Sequence, residues 1–389
     1  MLPSFEVENF RTFSHLQIPH LGGVNLIVGR NNVGKSMLLE ALRLYAAEGD
    51  INAVLGLLYD RDELLPSPSV DPQQRSLQIR FASLFYGRVL PDANKSSIVL
   101  QTSSQDRCRV RMTIGSRVYS AKTVSSDYDA SNTTILAPWE EKVAYPVITV
   151  HVGDQAAGTY RLDASMRANR EAWAVEKKRL ALAFVPAGGV DSRTLARQWD
   201  AGALRTVVEE QVIECLRMIA PIERITSVEH PANSSQRVFL ARTAGAREPV
   251  PLRSLGDGMV RMFQLALALE SAKSRQTASA APPRSLVPET ASRESEGIFL
   301  IDEIENGIHY TVLPDLWRFL FRMAKLHNVQ VFATTHSWDC VEAFQKAAVE
   351  AMDLDGTLIR LEQRDDSHRV VTFSEKELAI VTRDKIEVR

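Results

Sequence analysis

The spacing of apolar positions changes several times along the chain, and each change marks an element. The stretches FEVENFRTF and HLQI near the N-terminus are short and rich in Phe, Val and Ile. GVNLIVG is a compact apolar run that ends in glycine, the pattern of a buried strand. MLLEALRLYAA follows with helical spacing, so that Met37, Leu38, Ala41, Leu42 and Tyr45 share one face. A Pro/Ser loop, LLPSPSVDP, runs from Leu64 to Pro72. From about Arg75 to Arg161 alternation dominates, in SLQIRFASLF, SSIVLQT, RCRVRMTIG and YPVITVHVG, which predicts antiparallel sheet. From Asp163 to Ile219 the pattern turns helical and charged, and predicts a helical arm.

RITSVE and QRVFLAR return to strand, and RSLGDGMVRMFQLALALESA reads as a loop that opens a helix. The Ala, Ser, Pro, Arg and Glu stretch around 272–296 has no apolar period and predicts a flexible linker. GIFLIDE and VQVFATTH read as buried strands, each followed by a helix. TLIRLEQ and HRVVTFS form a hairpin, and EKELAIVTRDKIEVR is a short tail. Strands followed by helices at both ends of the chain predict an α/β fold.

Composition narrows the class. Of 389 residues, 45% are hydrophobic and 24% charged, an ordinary globular balance with ample chain for a core. Lys and Arg total 46 against 48 Asp and Glu, a net charge of -2, so any nucleic-acid site must be a local patch. The 3 Cys are dispersed, which argues against a disulfide framework or a structural zinc site and fits a reducing compartment. The N-terminus lacks the apolar core of a secretory signal, and no run is long enough to span a membrane. A cytoplasmic protein is expected.

Four segments carry candidate chemistry. Gly29-Arg30-Asn31-Asn32-Val33-Gly34-Lys35-Ser36 fits the phosphate-binding loop pattern, between a predicted strand and a predicted helix. Its glycines let backbone N–H groups turn towards phosphate oxygens, Lys35 would reach the β/γ-phosphates, and the Ser36 hydroxyl would bind Mg²⁺. Asp302 and Glu303 end an apolar strand, where ligand chemistry in parallel sheets gathers. Asp302 would hold Mg²⁺ and Glu303 would orient the attacking water. His336 ends a second apolar strand and is placed as a γ-phosphate sensor. Leu252–Met259 puts small residues ahead of a helix, either a second anion site or an ordinary cap by Asp257 or Ser254.

Together these segments resemble the ATP-binding-cassette ATPases, specifically the soluble branch of OLD-type, RecF-like and SMC-like proteins. The likeness covers residues 1–60 and 250–340 and includes Phe10-Arg11 and the GxNxxGKS form of the loop. Asp302–His309 looks like the branch's Walker B and D-loop, and Thr334-Thr335-His336-Ser337 like its histidine switch. The resemblance implies an ABC-type ATPase head at 1–62, an antiparallel β subdomain at 63–162, a helical insertion at 163–225 and the rest of the head at 226–389. It also implies ATP held by Arg11, Gly29, Asn31, Asn32, Val33, Gly34, Lys35 and Ser36, sandwiched between two copies. Ser254, Gly256, Asp257 and Gly258 would contact the nucleotide of the other copy, with Gly256 where the family's signature has serine. Gln73, Gln74 and Gln78 are candidates for its Q-loop.

The role implied is Mg²⁺-dependent ATP hydrolysis by a homodimer or higher homo-oligomer. OLD-type enzymes carry a nuclease domain after the ATPase, and the chain ends too soon after His336 to hold one. A separately encoded effector, a nuclease or toxin of an anti-phage system, is therefore expected. The alternatives are a RecF-like repair ATPase that binds DNA, a transporter subunit and a scaffold without turnover. Asp353–Thr357 matches the start of the haloacid-dehalogenase motif but follows a helical pattern and reads as a turn. The basic positions Arg167, Arg170, Lys177, Lys178 and Arg179 alternate with acids and read as a solvated face.

Overall fold

The computed structural model describes residues 1–66, 77–92, 96–103, 109–120, 142–162, 180–203, 206–230, 233–278, 296–351, 354–364 and 367–383. Two six-stranded sheets organise it. The first is antiparallel: β1 (Phe5–Phe10), β2 (Phe13–Ile18), β6 (Ser97–Gln101), β7 (Val110–Ser120), β8 (Lys142–Val152) and β9 (Gln155–Arg161), in the order β2-β1-β6-β7-β8-β9. β1 pairs with β6 through Val7 and Leu100, so the strands expected as a subdomain at 63–162 continue the sheet begun by the N-terminus.

The second sheet carries the chemistry. Its strands are β3 (Val24–Gly29), β10 (Ala181–Val185), β14 (Gly297–Ile301), β15 (Val329–Thr334), β16 (Gly356–Arg364) and β17 (Ser367–Phe373), in the order β10-β14-β15-β3-β16-β17. All neighbours are parallel except the β16–β17 hairpin. β3, β14 and β15 are buried on both faces, and their side chains alternate between two cores. Val24, Leu26 and Val28, with Phe299, Ile301, Val331 and Ala333, join one core. Ile27, Ile298, Leu300 and Phe332 join the other.

Helices α1 (Lys35–Ala46) and α2 (Ile51–Tyr59) fill the space between the two sheets. On the opposite face lie α3 (Ser192–Ala203), α4 (Thr206–Leu216), α5 (Asp257–Ala278), α6 (Leu313–His327) and α7 (Trp338–Glu350). α6 is strongly amphipathic, with Leu316, Trp317, Leu320 and Ala324 on its buried side. A small antiparallel sheet, β11 (Ile222–His230), β12 (Asn233–Thr243) and β13 (Val250–Pro251), packs against α3 through Trp199 and Phe239. β4 (Leu64–Pro66) and β5 (Leu77–Ile79) form a two-stranded ladder.

Several expectations are corrected. Phe81–Leu84, read as part of an alternating strand, is a 3₁₀ turn. Within the helical arm expected at 163–225, residues 181–185 form β10, parallel to β14, with Ala181, Ala183 and Val185 buried. A run this short fits a strand or a helix end equally, and its partner across the sheet decides. α3 and α4 fold into the core against α5, and β11 runs through the boundary expected at 225. The expected linker begins later than 272, because α5 continues to Ala278. The C-terminal tail contains α8 (Glu375–Arg383), anchored by the fully buried Leu378. Asp353, Gln73, Gln74, the basic positions 167–179 and the linker interior at 279–295 lie outside the described residues.

Candidate functional site

The chain turns from β3 into α1 through a loop whose backbone demands glycine at two positions. Gly29, Asn32 and Gly34 have φ of 148°, 63° and 100°. A Cβ on Gly29 would lie 2.6 Å from the Leu361 carbonyl oxygen, and one on Gly34 would lie 2.8 Å from Phe13. Conformation and space therefore both demand glycine at these two positions. Gly34 caps α1 without a side-chain acceptor, and the first turn of α1 carries no acid. The helix start is left to hold an anion. Lys35 Nζ donates to the carbonyls of Gly29 at 2.8 Å and Arg30 at 3.2 Å, which folds the amine over the loop. Burial pulls its pKa below the ordinary lysine value, and Glu303, Asp302 and Glu305 act in the opposite sense.

The acids sit across from this loop. Asp302 Oδ1 accepts from Thr334 Oγ1 at 2.6 Å and from Ser36 Oγ at 3.1 Å. Thr334 Oγ1 in turn accepts the Glu303 N–H at 2.8 Å, so one hydroxyl fixes both acids. Glu303 is in the left-handed region with φ 48°, which turns its side chain out of the strand line. Asn306 Nδ2 donates to Glu303 Oε2 at 2.8 Å and to the Ala187 carbonyl at 3.2 Å. His336 is exposed, and Glu305 Oε1 accepts its backbone N–H at 2.9 Å and faces its Nδ1 at 3.1 Å.

A cavity of about 340 Å³ brings the groups together: Asn31, Asn32, Gly34, Lys35, Ser36, Met37, Arg61, Asp302, Glu303, Thr334 and His336 border it. Its chemistry is a cationic, amide-rich floor facing a pair of carboxylates. The hydroxyl of Ser36 and the carboxylate of Asp302 are hard oxygen donors converging at one place, a donor set that fits Mg²⁺.

Other expected residues lie elsewhere. Arg11 is buried at 5% exposure and is tied into an internal network through Nε and one terminal nitrogen. It donates to Glu40 at 2.9 Å, Glu63 at 2.5 Å and the Ser83 carbonyl at 2.9 Å, and it is not among the residues that border the cavity. Arg61 is the arginine that borders the cavity, and it pairs with the other oxygen of Glu40 at 2.5 Å. The Val33 side chain packs into the core, so its contribution is main-chain. Gly29 lies at the base of the loop and offers its carbonyl to Lys35. Ser254, Gly256, Asp257 and Gly258 do not border the cavity. They form the start of α5, with Ser254, Gly256 and Asp257 exposed, and Gly258 packs on Gly307 beyond the acids. Gln78 lies in β5, paired with Leu65.

Comparisons with known proteins find similarity along most of the chain. Residues 185–339 match the family model "AAA domain, putative AbiEii toxin, Type IV TA system". Residues 1–106 match "AAA ATPase domain". AAA-type ATPase segments thus contain both the loop and the acids. The chain is 22% identical over 403 residues to a protein of Helicobacter pylori named "ATP/GTP phosphatase", across 95% of this chain and 94% of that protein. A stretch of 51 residues is 43% identical to protein MJECL10 of Methanocaldococcus jannaschii, across 13% of this chain and 23% of that one. Among solved structures, an SMC head bound to the C-winged helix domain of ScpA aligns with TM-score 0.46 at 12% identity, over 96% of this chain and 98% of that one. The SMC head domain from Thermotoga maritima aligns with TM-score 0.41 at 12% identity, over 96% and 99%. No helix among the described residues is long and apolar enough to cross a membrane.

Proposed function

We propose that the chain is a Mg²⁺-dependent ATP hydrolase whose nucleotide state governs engagement between copies, and that this engagement controls a separate effector. One observation carries the catalytic part. Ser36 and Thr334 converge on a single oxygen of Asp302 while Lys35 closes the facing loop. Mg²⁺ held by Ser36 and Asp302 would neutralise charge on the β- and γ-phosphate oxygens. Lys35 and the N–H groups at the start of α1 bind the same phosphates. Glu303 accepts a proton from the water that attacks the γ-phosphorus as the bond to the bridging oxygen breaks, and ADP leaves with phosphate. Asn306 positions Glu303 for this, and Glu305 holds the His336 ring at the γ-phosphate side.

The exposed start of α5 suits contact with a second copy. Its N–H groups and Ser254 would meet the γ-phosphate held by the partner, as in the OLD-type ATPases the sequence resembles. The description of the family matched at 185–339 names a toxin–antitoxin system; a nuclease or toxin effector in defence against phage is carried by the resemblance to OLD-type ATPases alone. Nucleotide binding and turnover test the core of the reading. Lys35→Ala should lose ATP binding, whereas Glu303→Gln should bind ATP and stop turning it over. Equal turnover by Glu303→Gln and wild type would overturn the role of Glu303. Stimulation of turnover by duplex DNA would favour a RecF-like role over a protein effector.

A further inference from the structure

The cavity that holds Lys35 has a second cation on its border, Arg61, and the fold sets how that side chain is presented. α2 ends in a turn that reverses the chain. Asp62 has φ 54°, its N–H donates to the Tyr59 carbonyl at 3.1 Å, and the Glu63 N–H donates to the Leu58 carbonyl at 2.8 Å. This left-handed helix stop fixes the backbone on both sides of Arg61. Side chains dock the turn on α1: Arg43 donates to Asp60 at 2.9 Å, and Arg61 Nε donates to Glu40 Oε1 at 2.5 Å. Glu40 lies one turn beyond Ser36, on the same face of α1. It is 7% exposed, and its other oxygen accepts from Arg11 Nε at 2.9 Å. With both oxygens engaged, the carboxylate has a fixed orientation.

We propose that Glu40 is a positioning residue: it holds Arg61 by Nε so that the free end of the guanidinium grips a phosphate of the bound nucleotide. Arg61 spends only Nε on Glu40. Its two terminal nitrogens make no hydrogen bond or ion pair among the described residues. The side chain is 31% exposed and borders the cavity together with Lys35, Ser36 and Glu303. An unused pair of N–H donors on a planar cation matches two oxygens of one phosphate. The charges agree: Arg11, Arg61 and Arg88 pair with Glu40 and Glu63 alone, so the network holds one cation more than it has anions. Arg11 already pairs with Glu40 inside the core, so the carboxylate does not need Arg61 for its own neutralisation. The role of Glu40 rests on the ATPase reading above, since the fork needs phosphate to hold.

A double-mutant cycle read by calorimetric titration with ATP tests the coupling. Glu40→Gln keeps the shape and an acceptor but loses the charge, and should weaken ATP by about three- to tenfold. In the Arg61→Ala background the same change should alter affinity by less than about twofold, because the residue it positions is gone. An equal loss in both backgrounds would overturn the proposal and make Glu40 part of the packing only. Arg61→Lys keeps the charge without the fork and should recover only part of what Arg61→Ala loses; full recovery would overturn the bidentate grip. A second measurement leaves the ion pair intact and so does not depend on how Glu40→Gln folds. Phenylglyoxal attacks the terminal nitrogens of arginine, and its adducts are located by mass spectrometry. Arg61 should react in the free chain and be protected by ATP but not by adenosine, while the exposed Arg247 reacts alike throughout. Modification of Arg61 unaffected by saturating ATP would overturn its contact with phosphate. Lys35→Ala keeps the two readings apart. Undiminished ATP binding in that variant would overturn the nucleotide site itself, whereas its loss without Glu40–Arg61 coupling would overturn only the role of Glu40.

Discussion

Arg261, one turn into α5, donates to the main-chain carbonyl of Asp302 at 2.6 Å. The same nitrogen reaches the Glu303 carbonyl at 3.0 Å, and the other terminal nitrogen reaches Pro186 at 2.7 Å. The side chain therefore ties the helix that starts at Asp257 to the catalytic end of β14. Burial pulls the guanidinium down to about 10, opposed by Asp302, Glu305 and Glu303, so it remains charged at neutral pH.

Removing this tie should cost both stability and turnover. Arg261→Ala leaves three partly buried carbonyls without this donor, and a loss of about 1–3 kcal/mol is expected in urea unfolding. Arg261→Lys keeps the charge but cannot reproduce the fork, and should recover part of the stability and little of the turnover. Glu303 depends on its left-handed backbone being held, so turnover should fall further than ATP affinity in both variants. Unchanged turnover in a folded Arg261→Ala would show that the acids hold their geometry without α5.

The parts legible in the sequence are those whose partners are close in the chain. The loop from Gly29 to Ser36 is strand, turn and helix within a few residues, and Gly29 and Gly34 take the positive φ that the spacing implies. Asp302 is readable because acids that end a fully apolar run stand out. Thr334 is legible as part of the histidine-switch segment, but its bond to Asp302, which spans 32 positions, is not. Arg61 follows α2 without any local motif, and only the fold brings it to Lys35 and Glu303. The ion pairs of Arg11 are hidden for the same reason: its partners Glu40 and Glu63 lie 29 and 52 positions away.

Arg11 and Arg61 should accordingly separate in mutants. The Arg11 side chain is 2% exposed, and Arg11→Ala would strip a donor from two buried carboxylates, with a loss of about 3–5 kcal/mol. The variant that remains folded at low temperature should bind ATP nearly as wild type does. The Arg61 side chain is 31% exposed, and Arg61→Ala should cost about 1 kcal/mol or less, while weakening ATP by about tenfold through the lost charge at the cavity. Thermal melts and calorimetric titration with ATP report both effects. The reverse pattern would return the nucleotide role to Arg11.

The alkaline limit of nucleotide binding should report on Lys35. The phosphates need the charged amine, and burial lowers the pH at which that charge is lost. Affinity should therefore fall as pH rises through a value below the ordinary lysine range. Glu303 is the foremost of the acids that oppose the shift, so Glu303→Gln should move this limit to lower pH. ATP affinity measured from neutral to alkaline pH in both proteins checks the sign. A limit that moves upward in Glu303→Gln would mean that Lys35 does not control it.

Self-association should depend on ATP and on the start of α5, and the choice of substitution decides whether this can be seen. Gly258 is unsuitable, because a Cβ there would lie 2.6 Å from the Gly307 carbonyl oxygen within the same chain. Gly258→Ala should destabilise by about 1–3 kcal/mol regardless of any partner. Ser254 is exposed, and Ser254→Arg should leave stability within about 0.5 kcal/mol of wild type and preserve ATP binding. The γ-phosphate is what a second copy would recognise, and ADP lacks it, so only ATP can shift the association equilibrium. Glu303→Gln, which retains ATP, should sediment as a larger species with ATP than with ADP or without nucleotide. Ser254→Arg in that background should abolish the difference, and alone it should reduce turnover. Identical sedimentation in all three conditions, with full turnover in Ser254→Arg, would make the segment from Ser254 to Gly258 a helix cap and nothing more.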